Sequence, residues 1–170
     1  MIITEEMINH FVQRMNKHRE LVNYFANKMN HSFYEHDRDK FEDEVICTQI
    51  KFSWSKFKNI PLSKEDRTMS DIVTLKHITT QKHHPEYWIE DKSVLQNFTR
   101  RHPIYNLNCQ KMSKTALIEM CCDWCAMGKE FHNTAIWWAD RTVNKRWCFT
   151  GEQTKFIYDT LYTLSNDEIF

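Results

Sequence analysis

Only two glycines, Gly128 and Gly151, occur in this chain of 170 residues, with three prolines, Pro61, Pro85 and Pro103. Average usage over such a length gives roughly twelve glycines and eight prolines. Tight turns consume Gly, Pro and Asn, and an all-β sandwich or barrel turns every 8–12 residues or about that. A chain so poor in turn formers is predicted to be mostly helical. The same scarcity excludes two nucleotide cradles, the Gly-x-Gly-x-x-Gly fingerprint and the Gly-x-x-x-x-Gly-Lys phosphate loop, because its two glycines lie too far apart for either.

The length fits one domain around one core. That domain is taken as 1–170, with a motif-bearing part over about 4–131 and a C-terminal helical extension over 132–170. Lys plus Arg equals Asp plus Glu at 23 each, so no basic excess points to nucleic acid. No apolar run is long enough to span a membrane, and Met1-Ile2-Ile3-Thr4-Glu5-Glu6 is not a leader peptide. Three of the six cysteines crowd into Cys121-Cys122-Asp123-Trp124-Cys125, poor spacing for a disulfide framework. They read as reduced thiols of a cytoplasmic protein, and the Cys-x-x-Cys lacks the second pair that a zinc ribbon needs.

Periodicity places the helices. Ile8, Phe11, Met15, His18, Val22, Phe25 and Met29 recur at steps of three and four, predicting a helix over 4–30 with Thr4 as its cap. A second helix is expected to start at Asp37 or Asp39 and run through Val45 and Ile46 towards Phe57. A polar connection follows over 61–67. A third helix is expected from Ser70-Asp71, carrying Ile72, Leu75 and Ile78 into His83-His84-Pro85, where the proline disfavours helix at His84. Residues 90–111 read as irregular. Ser113–Phe131 reads as a strong helix and 136–147 as another. Thr150-Gly151-Glu152-Gln153 is a capping box that opens a last one.

Against this frame four places carry chemistry. His18 and Asp123 fall on apolar helix faces, and the pairs His36-Asp37 and His83-His84 fall at helix ends. A buried, unpaired carboxylate costs several kcal/mol even after relaxation. Asp123 therefore needs a cation, hydrogen bonds or a metal. Imidazole and carboxylate together bind Zn, Mn, Co, Ni or Fe, with Mg also compatible. Two His and two Asp leave coordination positions open for chemistry. The plainer readings are a hydrogen-bonded core histidine for His18 and a salt bridge for Asp123. Trp137, Trp138 and Trp147 are read first as packing or subunit-interface residues, compatible with a homo-oligomer, and second as stacking faces for a base. Arg100-Arg101-His102 and Lys51, Lys56 and Lys58 are read as solvated surface, with steering of an anionic substrate as the sharper alternative.

The order His18, His36-Asp37, His83-His84, Asp123 resembles the HD-domain superfamily of metal-dependent phosphohydrolases. The closer resemblance is to DUF5662, an uncharacterised family of bacterial and phage proteins related to it. The matching stretches are Lys17-His18-Arg19, His36-Asp37-Arg38-Asp39-Lys40-Phe41, His83-His84-Pro85-Glu86-Tyr87-Trp88 and Glu119 to Met127. The resemblance implies an all-α, single-domain helical bundle with a metal held by His18, His36, Asp37 and Asp123. It implies hydrolysis of a small phosphorylated molecule, a nucleotide first of all, by attack of a metal-activated water. In nucleotidase members an acid follows the His-Asp pair by three positions, and here that position is Lys40. Lysine near its ordinary pKa of about 10.4 is no substitute base. Lys40 is left to bind phosphate or pair with an acid, and Glu86 is the candidate base. His83 or His84 is expected to contact phosphate, donate a proton or ligate a second metal, with only one of the two facing the site. Lys82 and Arg38 are candidate phosphate contacts. The alternative is a non-catalytic phage or bacterial interaction protein with a structural His/Asp metal site. If the gene is carried by a phage, the expected location is the cytoplasm of its bacterial host.

Overall fold

The computed structural model describes residues 1–165. The end of the expected C-terminal extension, 166–170, lies outside the described residues. The fold is all-α, with six α-helices and one two-stranded parallel pair among the described residues. The helices are α1 (Glu5–Lys28), α2 (Ile46–Lys58), α3 (Lys64–Thr80), α4 (Lys114–Phe131), α5 (Ala135–Thr142) and α6 (Gly151–Ser165). The strands β1 (Leu107–Asn108) and β2 (Trp147–Cys148) pair in parallel.

Caps set most helix starts. The side chains of Thr4, Ser63, Ser113 and Thr134 each accept a backbone N–H in the first turn of α1, α3, α4 and α5. The Thr150/Gln153 capping box closes reciprocally at the head of α6, with Gln153 N–H on Thr150 Oγ1 at 3.1 Å and Thr150 N–H on Gln153 Oε1 at 3.0 Å. The buried stripe of α1 is Met7, Phe11, Met15, His18, Val22, Phe25 and Ala26. Met7 takes the place expected of Ile8, which is 41% exposed. One continuous core joins Val22, Phe25 and Ala26 of α1 to Leu117 and Cys121 of α4 and Ile157, Leu161 and Leu164 of α6. Cys121 and Cys125 pack there as small buried side chains.

Three expected boundaries move. No helix starts at Asp37: a chain of tight turns runs from Phe33 into a 3₁₀ turn at Arg38–Phe41, and α2 begins only at Ile46. Neither Asp37 nor Asp39 caps α2, since Asp37 adopts a left-handed conformation and the Asp39 carboxylate turns to His77. Helix α3 starts six residues early for the opposite reason, because Ser63 caps it and Glu65 and Asp66 sit at its positive end. The segment after Thr142 leaves helix to supply β2.

Gly128 shows what a scarce glycine is for. A Cβ at this position would sit 2.7 Å from the backbone oxygen of Asn133, whereas one on Gly151 would meet nothing within 4 Å. Alanine gains about 1 kcal/mol of helix propensity over glycine. Overpacking against a backbone atom costs roughly 1–3 kcal/mol, so the clash is expected to win at Gly128. Gly128→Ala should lower stability in urea unfolding while Gly151→Ala leaves it level or raises it. Equal behaviour of the two variants would refute the close approach of the α4–α5 loop to α4.

Candidate metal centre

The site is assembled from four regions: His18 on α1, the Phe33–Phe41 turns, the end of α3 with the turn that follows it, and Glu119 and Asp123 on α4. Asp37 is the hinge of the arrangement. It is 2% exposed and sits at φ 58°, a left-handed conformation that Asp tolerates better than most residues. That backbone turns its carboxylate inward instead of along a helix.

His18 Nε2 lies 3.1 Å from Asp123 Oδ1 and 3.7 Å from Asp37 Oδ2. His36 Nε2 lies 3.7 Å from the same Asp37 oxygen and 3.8 Å from Asp123 Oδ1. Most of these separations are too long for hydrogen bonds. Ligands about 2.0–2.2 Å from a metal lie roughly 3.0–3.4 Å from one another at ordinary coordination angles. The His18–Asp123 pair falls in that range, and the other three separations, at 3.7–3.8 Å, are a few tenths of an ångström wider. Among the described residues, His36 Nε2, His83 Nε2 and Asp37 Oδ1 are buried without a hydrogen-bond partner. Orphans of this kind are rare in folded proteins and fit residues that hold an ion.

A second group adjoins the first. His77, His83 and His84 bring ring nitrogens within 4.8 Å of one another. Asp37 Oδ1 lies 3.3 Å from His77 Nε2 and 3.7 Å from His83 Nε2. Each Asp37 oxygen thus faces a different group. His83 and His84 both turn to this place, contrary to the expectation that only one would. The chain is extended at His84, ahead of Pro85, and a turn from Gln81 to His84 brings the two rings to 4.3 Å.

Outer carboxylates orient the rings. His36 Nδ1–H donates to Glu119 Oε1 at 2.9 Å, and His83 Nδ1 lies 3.3 Å from the same oxygen. His77 Nδ1–H donates to Asp39 at 2.7 Å. This is the carboxylate–histidine pairing that frees the far nitrogen for a metal. Burial alone would lower His36, but the nearby charges of Asp37 and Asp123 and the hydrogen bond to Glu119 raise it to about 10. Burial, with His83 and His77 alongside, pushes His84 well below the usual imidazole range, which leaves a neutral ligand. Asp37 and Asp123 stay ionised despite burial, the first held down chiefly by Lys40, the second by His18.

Lys40 pairs with an acid: its Nζ is 2.6 Å from Asp37 Oδ2, the oxygen shared with His18 and His36. A metal held by that oxygen competes with the ammonium. Lys40→Met is expected to destabilise the metal-free protein, since Asp37 keeps a buried charge, and to raise affinity for Mn or Zn. Thermal melts with and without metal check both. A metal-dependent rise in Tm no larger than that of the wild type would remove Lys40 from the site.

The cluster lies at a cavity of about 520 Å³ whose walls carry Arg14, Lys40, Arg100 and Arg146 beside Trp124, Trp137, Trp138 and Trp147. Of the two expected phosphate contacts, neither lines it. Arg38 is exposed and pairs with Glu35, and Lys82 is exposed on the outer side of its turn. Glu86 lines the cavity, with Oε1 bound by Arg146 and Trp147 rather than by the histidines. The residues that sequence reasoning did not single out are His77, Glu119, Arg14 and Arg146. Glu119 had a local signal, its place one turn before Asp123 on α4, whereas His77 shares the buried face of α3 with the polar Ser70 as well as Val73.

Fold and site together define an all-helical protein with a buried histidine–carboxylate cluster that opens on a cation-rimmed cavity. The chain belongs to DUF5662, a family of unknown function, which matches residues 7–163. No curated protein and no solved structure matches it. No helix among the described residues is long and apolar enough to cross a membrane.

Proposed function

We propose that this protein is a metal-dependent phosphohydrolase of the HD-domain type, acting on a small phosphorylated molecule and most naturally on a nucleotide. One observation carries the reading: His18, Asp37 and Asp123 line a cavity that also carries four cationic side chains, and His36 lies within ligand reach of His18 and Asp37. A structural metal site needs no such access, whereas a catalytic one does. When bound, a divalent transition metal supplies Lewis acidity and lowers the pKa of water at neutral pH.

The chain's own groups divide the remaining work. His18, His36, Asp37 and Asp123 hold the ion, and His77, His83 and His84 with Asp37 offer a second position. Arg14 and Arg100 offset the charge of a phosphate entering the cavity. Lys40 supports Asp37 and is not the base. The half-exposed faces of Trp137 and Trp138 suit a flat ring. A small molecule fits this reading better than nucleic acid, because two of the three lysines in the 51–58 segment face acids, Lys51 on Asp66 and Lys58 near Glu6. Reduced thiols and a cytoplasmic location accord with it.

The test is phosphate release from a panel of nucleotides with Mn, Co, Ni, Fe, Mg or Zn, comparing wild type with His18→Ala. The expected result is metal-dependent release that His18→Ala reduces by at least about a hundredfold. Tight metal binding with no release from any member of the panel would favour the structural-site alternative.

A further inference from the structure

The cavity contains a second polar feature, separate from the histidine cluster. Glu86 is 1% exposed, in the 3₁₀ turn Pro85–Trp88. Its Oε1 accepts Arg146 Nη2–H at 2.8 Å and Trp147 Nε1–H at 2.9 Å. Its Oε2 is buried and has no hydrogen-bond partner among the described residues, and neither has Arg146 Nε. Both residues line the cavity that holds Asp37 and Asp123. A buried acceptor and a buried donor of one ion pair are thus both unsatisfied. Such a group destabilises the fold unless something pairs with it.

We infer that Glu86 and Arg146 read the base of the substrate, with Glu86 Oε2 accepting an N–H of the ring edge and Arg146 Nε donating to the acceptor beside it. The inference rests on the reading of this cavity as the substrate site and names the substrate class as a nucleoside phosphate. An adjacent donor and acceptor on a flat ring is the edge of a nucleobase, as in the N–H and carbonyl of a 6-oxopurine or the amino group and ring nitrogen of adenine. A phosphate cannot fill this role, because its oxygens only accept and the Glu86 carboxylate repels it. The surroundings match a flat ring. Arg146 lies 4.6 Å from the centre of the Trp147 ring, and Trp138 stands edge-on to Trp147 at 6.3 Å. Oε1 is fixed by two donors, so Glu86→Gln is expected to keep its amide oxygen there and to put an NH₂ in the place of Oε2. An acceptor becomes a donor with no change of size.

The probes are inosine 5′-monophosphate, adenosine 5′-monophosphate and purine riboside 5′-monophosphate, which keeps ring, sugar and phosphate but has no donor on that edge. Binding is read by quenching of tryptophan fluorescence. Wild type is expected to bind at least one of the first two roughly tenfold or more tighter than the third, since sites built to pair a polar group discriminate against ligands lacking it. Glu86→Gln should erase that preference. Arg146→Lys keeps a cation against Glu86 but loses Nε, and should weaken the preferred nucleotide similarly. Metal uptake and circular dichroism show that each variant is folded. A folded Glu86→Gln protein with wild-type preference overturns the proposal, as does a wild type indifferent to the donor. Unphosphorylated inosine separates the two readings. Glu86-dependent inosine binding in a protein that releases no phosphate would uphold base recognition and reject the hydrolase.

Discussion

Asp37→Asn should abolish metal uptake by both groups of ligands at once. Its two oxygens face both: Oδ2 lies 3.7 Å from His18 and from His36, and Oδ1 lies 3.3 Å from His77 and 3.7 Å from His83. Asparagine keeps the volume and the inward aim set by the left-handed backbone. It replaces one ligand oxygen by an NH₂ and removes the charge that offsets the metal. Loss of an outer partner typically costs about 10–100-fold in metal affinity. Loss of a shared ligand should exceed that and reduce the amount bound as well as the affinity. The variant should also be less stable without metal, because Lys40 and the histidine cluster lose their central anion. Breaking a buried pair costs roughly 3–5 kcal/mol, and Lys40 is 22% exposed, so the loss should fall below that range. Metal analysis after dialysis against Mn or Zn measures the first effect and thermal melting the second. A folded Asn variant carrying wild-type metal would sink the assignment of Asp37.

The contrast between helices shows how much of this was legible beforehand. The heads of α1, α4 and α6 could be read because their signals are local: a capping side chain, then apolar residues every three or four positions. His18 and Asp123 stood out because a polar residue on an apolar face needs a partner, whereas His36 and Asp37 stood out only as an adjacent pair placed in an order that resembles the HD-domain superfamily. Helix α3 misled because its apolar residues mark its buried face only in part: Val73 and Ile78 are buried. Ile72 is 56% exposed, while Ser70, Val73 and His77 point inward, so the histidine was hidden in what looked like a solvent stripe. Arg146 could not be found by any local pattern. Its meeting with Glu86 joins residues 60 positions apart, brought together when β2 pairs with β1 and carries Trp147 into the core. Arg100 could be flagged by its neighbour Arg101. Its place beside the cavity depends on Thr74 of α3, whose hydroxyl takes its guanidinium at 2.7 Å.

Glu119 supplies the second large effect, of a different kind. It precedes Asp123 by one turn on α4, so a single helix face presents both a candidate ligand and the anion that orients two others. Burial would raise its carboxyl, but hydrogen bonds from His36 and His83 carry it down to about 2. It is therefore an anion at every pH where the protein would be assayed, and it makes both ring nitrogens facing Asp37 more electron-rich. Glu119→Gln keeps an oxygen for one ring and removes the charge. Metal should still bind in the same amount, with affinity lower by about 10–100-fold, as for other outer carboxylates. The pattern opposes that of Asp37→Asn, where the amount bound falls. Titration of both variants with Mn or Zn, following bound metal against free, tells them apart. If Glu119→Gln lost metal stoichiometry as Asp37→Asn does, Glu119 would be a ligand and the two groups would have to be redrawn around it. If it changed nothing, the rings would be held by packing alone, and the hydrogen bond to His36 would be incidental to the centre.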